Sequence, residues 1–162
     1  MEQTITFRKI GIILTPYNNT EDMPIQPMGA ADVEGVIELD PEFKPGLADL
    51  NGFSHLILIY HLHLVKEYKL SVIPFMDDKL HGIFATRAPV RPNAIGISTV
   101  KLLRIEGNLL HFAGADMVNG TPLLDIKPFF PDFDNHSNVK YGWLEEKEGI
   151  DISKIKSDKR FG

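Results

Sequence analysis

Cysteine is absent from the 162 residues. Its absence excludes a disulfide scaffold, thiolate-bound zinc, a thiol nucleophile and dithiol redox chemistry, and it fits a reducing compartment. Long apolar runs are missing too. The longest, residues 56–60, falls far short of the roughly 20 residues a membrane helix needs. The opening Met1-Glu2-Gln3 lacks the basic-then-apolar order of a secretion signal. These absences lead us to expect a soluble cytoplasmic protein with no membrane partner. Glycine-rich phosphate signatures are also lacking. There is no GxGxxG, no GxxxxGK[ST] and no GxSxG, so an adenine-nucleotide cofactor would have to bind outside a Rossmann fold. Positive charge is in deficit, with 17 Lys and Arg against 22 Asp and Glu and a net charge of −5. That balance argues against a protein coated in basic charge for nucleic acid.

What is present reads as mainly β. Eleven prolines and thirteen glycines interrupt the chain every few residues, and the short runs between them are rich in Ile, Val, Leu, Thr and Phe. Strands are expected at residues 4–14, 31–39, 54–63, 94–105, 109–113 and 122–126, with a short one at 83–85. The first changes phase midway, from Ile5 and Phe7 to Ile10, Ile12 and Leu14, so a bulge is expected at Arg8 and Lys9. In the second, Val33, Gly35, Ile37 and Leu39 share one face, which marks a half-buried strand. Residues 54–63 form the most buried strand, apolar on both faces at its centre. A hairpin is expected around Glu106, Gly107 and Asn108. Single helical turns are expected near 46–50 and 151–155. At least six short strands in one small domain predict a closed or partly closed β-barrel with short helical turns and no Rossmann unit.

Three constellations could carry chemistry. His55, His61 and His63 share one parity on a strand. The His61-x-His63 spacing suits a metal pair in a barrel enzyme, though it equally suits polar residues at a strand end. Residues 82–98 read GIFATRAPVRPNAIGIS, where Pro89 and Pro92 stiffen a loop carrying Arg87, Arg91 and Asn93. Such a loop could hold a guanidinium against a carboxylate or phosphate, or pair its arginines with the acidic excess elsewhere. The segment belongs to a wider basic strip: residues 79–105 hold Lys79, Arg87, Arg91, Lys101 and Arg104 and no acidic residue. Residues 114–128 read GADMVNGTPLLDIKP, with a turn at Asn119-Gly120. There Asp116 or Asp125 could act as an acid or base, or Asp125 and Lys127 could form a same-face ion pair.

Three segments together resemble one family. Phe53-Ser54-His55-Leu56, ATRxxxRPNxIGxS over 85–98, and GTPxxDIKP over 120–128 are similar to the TsaA-like family, also called YaeB or TrmO. The likeness runs in order from about Lys9 to Pro131. The resemblance implies a barrel domain over 1–135 and a C-terminal tail, 136–162, packing on the barrel or on a partner subunit. It implies a homodimeric methyltransferase that uses S-adenosylmethionine and N6-methylates threonylcarbamoyladenosine beside the anticodon of tRNA. Carried over by motif, the cofactor contacts are Gln26, Pro27, Met28, His63, Leu64, Arg87, Ile97, Met117, Val118, Asn119 and Gly120. Asp116 and Asp125 are the catalytic candidates. Arg91, Asn93 and Lys127 would serve RNA or the loop itself, and no metal is implied. Asn119 stands where the family has aspartate, and Ala94 where it commonly has proline. Longer members carry a C-terminal domain that helps hold tRNA, and only about thirty residues follow Pro131 here. Two rival readings are a metal-dependent barrel enzyme using His61 and His63, and a module that binds S-adenosylmethionine without catalysis.

Overall fold

A computed structural model describes residues 3–161 except Asp22 and Glu148. The expectations that touch Met1, Glu2 and the last residue of the tail lie outside the described residues. Six strands close a barrel: β1 (Gly11–Leu14), β2 (Glu34–Leu39), β3 (His55–His61), β6 (Ile95–Glu106), β7 (Leu109–Ala113) and β8 (Thr121–Pro128). The order around the barrel is β1-β2-β7-β6-β3-β8, with every pairing antiparallel. Closure leaves no open sheet edge. A separate two-stranded ladder pairs β4 (Ser71–Val72) with β5 (His81–Gly82).

The alternating residues read from the sequence fill the interior. Ile13, Ile37, Leu56, Leu58, Val100, Leu110, Phe112 and Leu123 are wholly buried. Two glycines make room for rings. A Cβ on Gly35 would lie 2.5 Å from the Phe112 ring, and one on Gly96 would lie 2.2 Å from the Tyr60 ring. Tyr60 pairs directly with Gly96, so its ring lies across the opening of β6. The β6–β7 hairpin turns at Gly107, whose φ of +66° is costly for other residues. Asn108 donates to Leu39 O at 2.7 Å and pins that turn to β2.

Several expectations need correction. Residues 4–9 form no strand, and Ile5 and Phe7 are exposed. Their alternation finds no partner strand. Within β1 the buried residues are Gly11 and Ile13, while Leu14 faces outward. Ile83–Ala85 is a 3-10 turn rather than a strand. The single turn expected near 46–50 is replaced by two 3-10 turns, Pro41–Leu47 and Leu50–Gly52. A single α-helical turn, α1 (Pro131–Asp134), starts where proline at its first position favours one. No helix among the described residues is long and apolar enough to cross a membrane.

Candidate functional site

Five stretches converge at the end of the barrel: the segment before Gln26, the end of β3 with the turn after it, residues 86–91, the start of β6, and the β7–β8 connection. They enclose a cavity of about 540 Å³. Of the residues named from sequence, Gln26, His63, Leu64, Arg87, Arg91, Ile97, Asp116, Met117 and Val118 line it. The others do not. Met28 is exposed on a 3-10 turn that begins at Pro27. Asn119 is used locally, accepting from Thr15 N at 3.1 Å and donating its backbone N–H to Tyr17 O at 2.6 Å. Gly120 supplies the positive φ of +80° at which the chain turns into β8. Asn93 is exposed. Asp125 and Lys127 form an ion pair at 2.7 Å, both well exposed, away from the cavity lining.

The cavity holds a buried polar chain. Asp116 Oδ1 accepts from Ser98 Oγ at 2.7 Å, and Ser98 Oγ lies 2.9 Å from Tyr60 Oη. All three residues are nearly inaccessible. Burial pushes the Asp116 carboxyl up to about 7, partly offset by the Ser98 hydrogen bond and the Arg87 charge. Burial and the neighbouring Asp116 charge push the Tyr60 phenol well above its ordinary value. Tyr60 therefore remains a donor at neutral pH. The chain runs from Tyr60 O–H to Ser98 and from Ser98 O–H to Asp116, so each bond polarises the next. Tyr17 is also pushed up, by burial and by the same carboxylate. Sequence reasoning did not single out Tyr60 or Ser98. The available signal was a hydroxyl at the inward parity of two adjacent strands.

The two arginines of the stiff loop do different work. Arg91 Nη1 donates to the carbonyls of Thr86 at 2.8 Å, Ile83 at 3.2 Å and Ala88 at 3.3 Å. It is the clasp of its own loop. Arg87 is exposed to the cavity and donates to Gln26 Oε1 at 3.3 Å. It forms no ion pair among the described residues, so its guanidinium is available to an anionic ligand. The histidine face of β3 points out of the barrel, since Leu56, Leu58 and Tyr60 take the inward positions. Among the described residues no three His, Asp or Glu side chains are grouped to hold a metal ion.

Beyond the barrel, Asp77 binds both His81 Nε2 at 2.8 Å and Lys147 Nζ at 3.0 Å. Those bonds hold its carboxyl well below the usual range. The Trp143 ring stacks on His81 with centroids 4.4 Å apart, and its N–H donates to Ala85 O at 2.8 Å.

Comparison with known proteins places this geometry in context. Residues 12–135 match the model of the tRNA-methyltransferase O N-terminal domain. A probable S-adenosyl-L-methionine-binding protein of Pyrococcus abyssi is 51% identical over 97% of this chain and 85% of its own length. A rat tRNA (adenine(37)-N6)-methyltransferase is 40% identical over 58% of this chain, but only 22% of that enzyme is matched. The crystal structure of TrmO from Pseudomonas aeruginosa superposes with a TM-score of 0.73 and 34% identity. It covers 87% of this chain, and this chain spans 63% of it.

Proposed function

The chain belongs to the tRNA-methyltransferase O N-terminal domain family, and from that premise we propose that it is an S-adenosylmethionine-dependent methyltransferase acting on the N6 nitrogen of an adenosine in tRNA. The finer substrate we propose is threonylcarbamoyladenosine beside the anticodon. The observation that carries the reading is the meeting of Arg87 and Asp116 on one cavity. The residues present fit the cofactor. About 540 Å³ is in the range of small-molecule sites, Arg87 is free for a carboxylate, and Ile59, Ile97, Met117 and Val118 offer apolar surface for a planar base.

When bound, S-adenosylmethionine supplies an electrophilic methyl group. The protein's task is mostly alignment, which can supply about 7–11 kcal/mol of the barrier. Arg87 binds and orients through its charge. Asp116 accepts the proton that the N6 nitrogen must lose, and Ser98 holds its Oδ1 in place. A carboxyl near 7 is well matched to that task at neutral pH, because it is a stronger base than an ordinary aspartate yet still substantially ionised. Asp125, tied to Lys127 outside the cavity, takes no part.

Large exposed side chains away from the cavity lining, at Met28, Phe84 and Phe133, support a homodimer, which light scattering tests. A tRNA substrate supports a cytoplasmic location. The deciding experiment is mass spectrometry of tRNA nucleosides from cells with and without the gene, and from cells carrying Asp116→Asn. Loss of an N6-methylated adenosine in the deletion strain and in the variant is expected. Identical nucleoside profiles in all three strains would refute the enzyme reading and leave a binding module.

A further inference from the structure

The cavity has a wall that the family region does not provide. Trp143, Ser157, Asp158 and Phe161 line it, and all four lie beyond residue 135, where the family match ends. Their positions are set by bonds at both ends of the crossing. At one end, Lys147 reaches the nearly buried carboxyl of Asp77, while Trp143 is held by the His81 stack and the Ala85 carbonyl. At the other end, Ser157 N donates to Met23 O at 2.8 Å, Ser157 Oγ bonds Thr20 O, and Lys156 bridges to Pro24. Arg160 then donates to Pro74 O at 2.7 Å, and Phe161 meets Phe75 edge-on at 5.0 Å. The wall's own charge is compensated, because Arg160 binds Asp158 at 2.9 Å.

We propose that residues 142–147 and 149–161 form a strap that is an integral wall of the cofactor site, and that Trp143 and Phe161 are cofactor-binding residues supplied by the same chain. This rests on the reading of the cavity as an S-adenosylmethionine site. The contribution is aromatic surface, suited to the planar adenine, on the cavity that Ile59 and Ile97 also line. Because one fastener of the strap, the Lys147–Asp77 ion pair, lies outside the cavity, the strap's hold on the ligand can be altered without touching the lining. Lys147 and Asp77 are both absent from that lining.

The test uses the full-length protein and S-adenosylhomocysteine as the probe. Trp143 is the only tryptophan in the sequence, so its emission reports on this wall alone. Calorimetric and fluorescence titrations should show saturable heat and a shift in Trp143 emission with the same midpoint. Lys147→Ala should weaken binding roughly three- to tenfold, the loss of one charge-assisted bond transmitted through the strap. An unchanged Trp143 emission across a saturating heat curve overturns the proposal, and so does a Lys147→Ala affinity equal to the parent's. Absence of heat in the parent protein overturns the cofactor reading itself and this inference with it. The emission arm needs no variant to fold.

Discussion

The barrel and the strap enclose the same cavity but are held together by different physics. In the barrel, every strand is paired on both sides and the interior is apolar. Its stability is spread over many contacts, so no single polar bond decides it. The strap has no strand in the barrel sheet. It is fixed by a few specific contacts: Lys147 on Asp77, Trp143 on Ala85, Ser157 on Met23 and Arg160 on Pro74. Segments of the second kind open locally at lower free-energy cost than segments of the first. A ligand between them therefore meets one wall that resists change and one whose attachment is adjustable.

The sharpest way to separate the two is to damage the barrel itself. Phe112→Ala removes a ring with no solvent exposure that fills the space over Gly35. It should cost about 3–5 kcal/mol, read as a lowered denaturant midpoint for the whole domain. A comparable loss from any strap substitution would erase the distinction.

Asp116→Asn probes the barrel's one costly feature. A carboxyl raised to about 7 in the folded protein binds protons more tightly there than in the unfolded chain. Stability should therefore fall as pH rises from about 4 to 7, with the full penalty, on the order of 4 kcal/mol, present above 7. Asn removes that slope, so the variant should gain melting temperature over the parent at pH 8 and not at pH 4. Methyl transfer by the parent should rise with pH through about 7 and be lost in the variant. Parallel melting curves for both proteins across that range would sink the burial argument.

The arginines give a narrower contrast. Arg87→Ala should weaken S-adenosylhomocysteine binding by roughly 1–3 kcal/mol and leave the melting temperature nearly unchanged. Arg91→Ala strips three carbonyls of their donor and should do the reverse, lowering the melting temperature first. Equal losses of affinity in both variants would defeat this division. The smallest effect belongs to the exposed pair on β8. Lys127→Ala should change stability by less than about 1 kcal/mol and ligand affinity not measurably. A measurable effect on the affinity in calorimetry would bring Lys127 back into the site.

Legibility followed the same divide. The barrel strands were readable because a half-buried strand prints its environment as a period of two, as Val33, Gly35, Ile37 and Leu39 show. The signal misled where alternation lacked a partner, at Ile5 and Phe7, and where a short apolar run wound into a turn at Ile83–Ala85. The two-residue strands β4 and β5 are too short to carry any period. Of the motif residues, Arg87, Asp116 and Met117 line the cavity, while Asn119 and Gly120 lie in the turn beside it. Which residues of the C-terminal tail reach the cavity was not legible. Trp143 and Phe161 stand among polar, irregular residues, and only tertiary contacts place them on the cavity.

Ile97 and Ser98 are neighbours on β6, yet one is exposed at the cavity wall and the other is buried against Asp116. The pleat alone sorts them. Inserting a single residue between the start of β6 and Ile97 would invert that sorting. An apolar side chain would then stand where Asp116 needs a hydroxyl, and the serine would be turned away. The strand thus carries a reading frame: substitutions on it can be judged one by one, but a change of length rewrites every position downstream at once. Variation in length should accordingly be tolerated in the loops feeding β6 and rejected within it.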